Sequence, residues 1–185
     1  MGPNTVEKAE IVGLGGDLYQ YRAARTAGCS HSELVEIIGL GGDLYWYRAA
    51  RTAGCSHGEL VEITRLGGDL YWYRLARVGG CSHSELVEIV GLGVGLDLYR
   101  RARAAGCGHA ELVEVAGLGG DLYRYQLACS AGVAHSTVVE AVSVHGLPAG
   151  LLNGFLERMF AAPGVDVVTV VFELVAGVGS VRHGT

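Results

Sequence analysis

The chain is short of nearly everything that marks a familiar active site or address. It has a single lysine, Lys8, and no uninterrupted apolar run long enough to cross a bilayer. A spanning helix needs about 18 or more apolar residues in succession, so no membrane partner is expected. The amino terminus lacks the charged start and apolar middle of a secretory signal, which makes the cytoplasm the expected location. There are five cysteines, an odd number, and four of them sit at one equivalent turn. That arrangement suits neither a disulfide framework nor an oxidising compartment. The net charge of −5 argues against bulk attraction to nucleic acid. No Ser/His/acid set and no pair of carboxylates stands apart as a catalytic group, so neither an enzyme nor a cofactor is expected.

What the chain does have is one unit of 26 residues, repeated. Gly39 to Thr64 reads GLGGDLYWYRAARTAGCSHGELVEIT, and copies begin at Gly13, Gly39, Arg65, Gly91 and Gly117 without insertion. Asp43 can accept hydrogen bonds from the free amides of a first helical turn, and Leu44 to Ala53 avoid glycine and proline. Gly54 ends that run as a left-handed residue, and Ser56-x-x-Glu59 opens a second helix as a capping box. Leu60, Val61 and Ile63 supply its apolar face. The unit is an αα-hairpin, and the fold class is an all-α α-solenoid of tandem hairpins.

Residues 1–14 fit as a half-repeat cap, with Asn4 as helix cap and Glu7 completing its box. Residues 13–142 hold five full units, and 143–185 hold a degenerate sixth that closes the array. In the fourth unit Gly95 replaces the capping aspartate, so its first helix is expected to start late or fray. In the tail, Leu151 to Ala162 fits a helix. Val167 to Val175 has the β-branched density of a strand as well as the register of a helix, and both readings stay open. An apolar last unit either docks on a partner or self-associates.

Tyr21, Tyr47, Tyr73, Tyr99 and Tyr125 never vary, nor do Ala24, Ala50, Ala76, Ala102 and Ala128. A bulky and a small residue three apart suit packing between neighbouring units. Two columns vary instead: Gln20, Trp46, Trp72, Leu98, Arg124, and Ala23, Ala49, Leu75, Arg101, Leu127. Repeat scaffolds hold the framework constant and diversify the surface that meets the partner, where tryptophan and arginine serve as anchors. Trp46, Trp72, Leu75, Arg101 and Arg124 are therefore the candidate binding residues for a protein or peptide. The competing reading makes the tryptophans gap-fillers between units.

The Cys-x-His pairs, such as Cys55/His57, offer two zinc ligands per unit, with the next pair about 10 Å away, whereas a closed site needs four. The fifth unit replaces this cysteine by Val133, as suits a small buried hydrophobe, and no metal is expected. The histidines at the first helical position are expected to be hydrogen-bonded structural residues, since the helix dipole disfavours a cation there. Arg22 and Arg25 are expected to make exposed pairs with Glu33 and Glu36.

The turn in AARTAGCSHSELVEI and LACSAGVAHSTVVEAV resembles the helix-turn-helix of bacterial DNA-binding regulators. That resemblance implies His31 to Ile38 as a recognition helix, which carries Glu33 and Glu36 but no basic residue. The whole D-L-Y-x-Y-x-x-A-R-x-A-G-x-S-H-x-E pattern is similar to short tandem-repeat proteins of actinobacteria and their phages, a resemblance that implies no activity. The expected function is a non-enzymatic scaffold for a protein or peptide. The alternative is a nucleic-acid-binding array using Arg22, Arg25, Arg48, Arg51, Arg74 and Arg77 with tyrosines for stacking.

Overall fold

A computed structural model describes residues 5–181, with side chains described through residue 177. The proposed cap at Asn4 lies outside the described residues. Within them the chain is an all-α α-solenoid of 26-residue hairpins, with no strand. The second repeat shows why these residues fold this way. Asp43 Oδ1 accepts from the amides of Tyr45 at 2.8 Å and Trp46 at 3.0 Å, starting the helix Leu44–Thr52. Gly54 at φ +92° turns the chain, and Ser56 and Glu59 then cap each other reciprocally to start His57–Arg65.

The glycine pair that closes each unit divides two tasks. Gly41 takes φ +80°, which costs a residue with a Cβ about 1–2 kcal/mol. Gly42 is needed for proximity, since a Cβ there would meet Ile37 Cγ2 at 2.7 Å and the Ile37 carbonyl oxygen at 3.1 Å.

The chain forms two compact units, Met1–Arg100 and Arg101–Thr185. The first holds α1 (Thr5–Gly13), α2 (Leu18–Thr26), α3 (His31–Gly39), α4 (Leu44–Thr52), α5 (His57–Arg65), α6 (Leu70–Val78), α7 (His83–Gly91) and the start of α8 (Leu96–Ala104). There the first helices α2, α4 and α6 pack in succession, and so do the second helices α3, α5 and α7. The second unit holds the rest of α8, then α9 (His109–Gly117), α10 (Leu122–Ser130), α11 (His135–Ser143), α12 (Leu152–Ala161) and α13 (Val167–Val181). In it α12 packs on α10 and α13 on α11. The invariant tyrosines and alanines are all at 0% exposure, so the constant columns are the core.

Two expectations resolve on local grounds. Helix α8 does not start late: it begins at Leu96, in register with Leu44 and Leu70, and is as long as its equivalents. Buried Leu96, Tyr99 and Ala102 hold it, and Asp97 supplies first-turn negative charge in place of the missing cap. The valine-rich tail is helix α13 rather than strand. Asp166 Oδ2 accepts from the Thr169 amide at 3.0 Å, and burial of Val170 and Val171 outweighs β propensity. The opposite face is bare, with Phe172 at 73% exposure.

Candidate functional site

In the first unit, successive Gly-Gly-Asp loops, and the last of them with Gly93-Val94-Gly95, enclose shallow pockets. One of about 280 Å³ includes Gln20 and the cap carboxylates Asp17 and Asp43. The next, of about 310 Å³, has Trp46 with Asp43 and Asp69, and a third of about 310 Å³ has Trp72 with Asp69 and Asp97. The variable column beginning at Gln20 thus supplies a wall of each pocket, because it lies one helical turn beyond the capping aspartate.

The tryptophans do not stand alone. Tyr45 meets Trp46 edge-on with centroids 4.6 Å apart, Trp46 lies 4.5 Å from Tyr71 of the next repeat, and Tyr71 lies 4.6 Å from Trp72. The Arg100 guanidinium sits 5.5 Å from the centre of the Trp72 ring, and Arg48 sits 5.5 Å from that of Tyr45. Trp46 and Trp72 are half-buried, so they both fill the seam between repeats and show a face to solvent.

A second constellation lies behind this surface. The Tyr47 hydroxyl is 3.0 Å from His57 Nδ1, and His57 Nε2 is 3.0 Å from Glu36 Oε2 in the preceding unit. The same chain joins Tyr21, His31 and Glu10, then Tyr73, His83 and Glu62, and Tyr125, His135 and Glu114. Burial, reinforced by nearby glutamate, pushes the Tyr47 and Tyr73 hydroxyls well above the ordinary tyrosine value, so they keep their protons and donate. With Nε2–H facing a carboxylate, the neutral imidazole offers Nδ1 as acceptor. The geometry resembles a proton relay, but in each copy its tyrosine end is sealed in the core. It joins repeats, and its histidines are hydrogen-bonded as expected.

The arginine columns also turn inward. Arg25, Arg51 and Arg77 each donate to the carbonyl of their own turn cysteine, at 3.2, 3.4 and 3.2 Å. Arg51 also reaches back to Glu33 at 3.4 Å, and Arg77 to Glu59 at 3.2 Å. These pairs therefore run between repeats rather than within one, and they are largely covered rather than exposed. Burial raises the Glu33 and Glu59 carboxyls, but hydrogen bonds from the capping serine and the arginine charge outweigh it and hold them below the usual range. Arg22 is exposed, while Arg48 and Arg74 are half-buried.

Of the candidate binding residues, Trp46 and Trp72 come together through Tyr71, and half-buried Leu75 follows one turn along α6. In the second unit, Arg101 is exposed, and Arg124 is tied to Glu157 at 2.6 Å and Asp121 at 3.7 Å. The sequence reading passed over Tyr45, Tyr71 and Arg100. The signal was there in the Tyr-Trp-Tyr triplets, since Tyr71, just before Trp72, lies against Trp46 of the preceding repeat. Among the described residues no cluster of three or more His, Cys, Asp or Glu is placed to hold a metal, and no helix is long and apolar enough to cross a membrane. No protein family, curated protein or solved structure matches the chain.

Proposed function

We propose that the protein is a non-enzymatic repeat scaffold that binds a protein or peptide through the Trp46–Trp72 surface, and that the partner presents basic side chains there. One observation carries this reading: Arg100 already lies on the Trp72 face, beside a pocket walled by Asp69 and Asp97. A guanidinium or ammonium group from a partner finds an aromatic face between two carboxylates at Trp46 as well, where the cap residues Asp43 and Asp69 flank it as Asp69 and first-turn Asp97 flank Trp72. Pockets one repeat apart suit an extended peptide. The nucleic-acid reading draws less support, because Arg25, Arg51 and Arg77 are engaged within the array.

A pull-down from cell lysate, with and without nuclease, tests the proposal with wild type beside the Trp46→Ala/Trp72→Ala double variant. The expected result is a protein partner that survives nuclease and is lost in the double variant. Recovery of nucleic acid that ignores the tryptophans and falls away between about 50 and 200 mM salt would overturn it.

A further inference from the structure

Helix α13 lacks the groups by which each earlier second helix receives its successor. In the first unit Glu10, Glu36 and Glu62 pair with Nε2 of His31, His57 and His83 from the following repeat at 2.9 to 3.0 Å, and in the second unit Glu114 pairs with His135 at 3.0 Å. Gly164-Val165 and Thr169-Val170-Val171 repeat Gly132-Val133 and Thr137-Val138-Val139 at a spacing of 32, which aligns α13 with α11 and matches buried Val170 to buried Val138. On that register Val167 holds the histidine position and Phe172 the glutamate position. Glu140, offered no histidine by α13, lies 3.4 Å from His145 Nε2 instead. A further repeat would find no carboxylate on α13, and the place where it would dock is apolar.

That place has a defined pattern. The side of α13 with buried Val170 and Val171 packs against α11 and α12. Val168, Phe172 and Val175 share another side, within about 60° of one another at roughly 100° per residue. They are 51, 73 and 44% exposed. With exposed Val165 just ahead of the helix, the spacing runs three, four and three residues, which is the a/d seam of paired helices. The neighbouring charges are matched within the chain, since Arg158 donates to Glu173 at 2.6 Å.

We propose that this stripe joins two copies of the chain, α13 packing antiparallel on α13 about a two-fold axis near Phe172. The stripe itself selects the occupant. It carries no charged or hydrogen-bonding side chain for a polar partner to read, and an a/d seam is complemented by another of the same spacing, which a second copy supplies. Copies of net charge −5 repel one another through their charged surfaces, so pairing belongs on a neutral one. The antiparallel arrangement keeps the two Asp166 caps apart and sets each helix N-terminus beside the far end of the other dipole. Val168 then lies opposite Val175 of the partner subunit.

Sedimentation equilibrium of the full-length chain, from about 1 to 100 μM, tests this. The wild type should approach twice the chain mass with rising concentration and go no further. Phe172→Glu restores the residue of the other repeats at an exposed site, and the two-fold axis counts the change twice. It should raise the dimer dissociation constant about 30-fold or more, with helical circular dichroism unchanged. Val168→Ser, which restores the residue of α11, serves if that variant misfolds. Tyr19→Ser, an equally exposed change on α2, should leave the dimer intact. A wild-type chain still monomeric at the highest concentration, a dimer indifferent to both α13 variants, or a dimer lost in Tyr19→Ser would each overturn the proposal. So would a series that grows past two copies, because a head-to-tail contact does not close.

Discussion

Tyr47 and His57, ten positions apart on the two helices of one hairpin, are joined at 3.0 Å through the phenol oxygen and Nδ1, and the far side of the imidazole reaches Glu36 of the previous hairpin. The tyrosine and histidine columns therefore have a physical reason for their constancy: together they fix the angle within a hairpin and the register between hairpins.

Tyr47→Phe keeps the ring and removes the donor, leaving Nδ1 of a half-buried histidine without its partner. The expected loss is about 1–3 kcal/mol. Urea unfolding checks it, with exposed Tyr45→Phe as a control expected within about 0.5 kcal/mol of wild type. Equal effects at the two tyrosines would refute the bridging role.

Leu60 is fully buried where α5 meets its neighbours, so Leu60→Ala is expected to cost about 2–5 kcal/mol. Leu66, 44% exposed just after the same helix, should lose far less on truncation to alanine. A loss below about 0.5 kcal/mol at Leu60 would place the core on another face of α5.

How much of this was legible follows from the range of each interaction. Asp43 before Leu44, Ser56 three residues before Glu59, and Gly54 between them act within a turn of chain, so the sequence spells out the hairpin. Tyr47–His57–Glu36 spans ten and twenty-one residues, and no local pattern announces it. Charge alone pairs Arg51 with the glutamates of its own unit, whereas packing carries it back to Glu33. Gly95 looked like a helix defect because a cap is a local signal, yet buried Leu96 and Tyr99 supply the missing stability from elsewhere. The pairing of Trp46 with Tyr71 needed the spacing between repeats, which only the folded array provides.

Gly41 and Gly42 should fail differently. Gly41→Ala meets no atom within 4 Å but must adopt φ +80°, at a cost of about 1–2 kcal/mol. Gly42→Ala needs no unusual backbone but drives its methyl into Ile37, an overpacking cost of about 1–3 kcal/mol. Adding Ile37→Ala to each, which removes the Cγ2 that the new methyl meets, should cost the second variant less than the first, as unfolding midpoints of the four proteins would show.

The pH dependence has two limbs of opposite origin. Glu33 and Glu59 titrate below the usual value near 4.5 in the folded chain, so their stabilisation is complete above that value and is lost as pH falls through the lower folded one. Cys29 and Cys55 titrate above 9.0, and Tyr47 and Tyr73 above 10.0, when folded. Their neutral forms belong to the core, so that stability is complete below about pH 9 and declines as rising pH ionises the unfolded chain first. Urea midpoints measured from pH 3 to pH 11 should therefore fall at both ends, with Glu59→Gln flattening the acid limb and Tyr73→Phe flattening the alkaline one. An acid limb unchanged by Glu59→Gln would show that the capping carboxylates do not set acid stability, and would point instead to carboxylates outside these boxes.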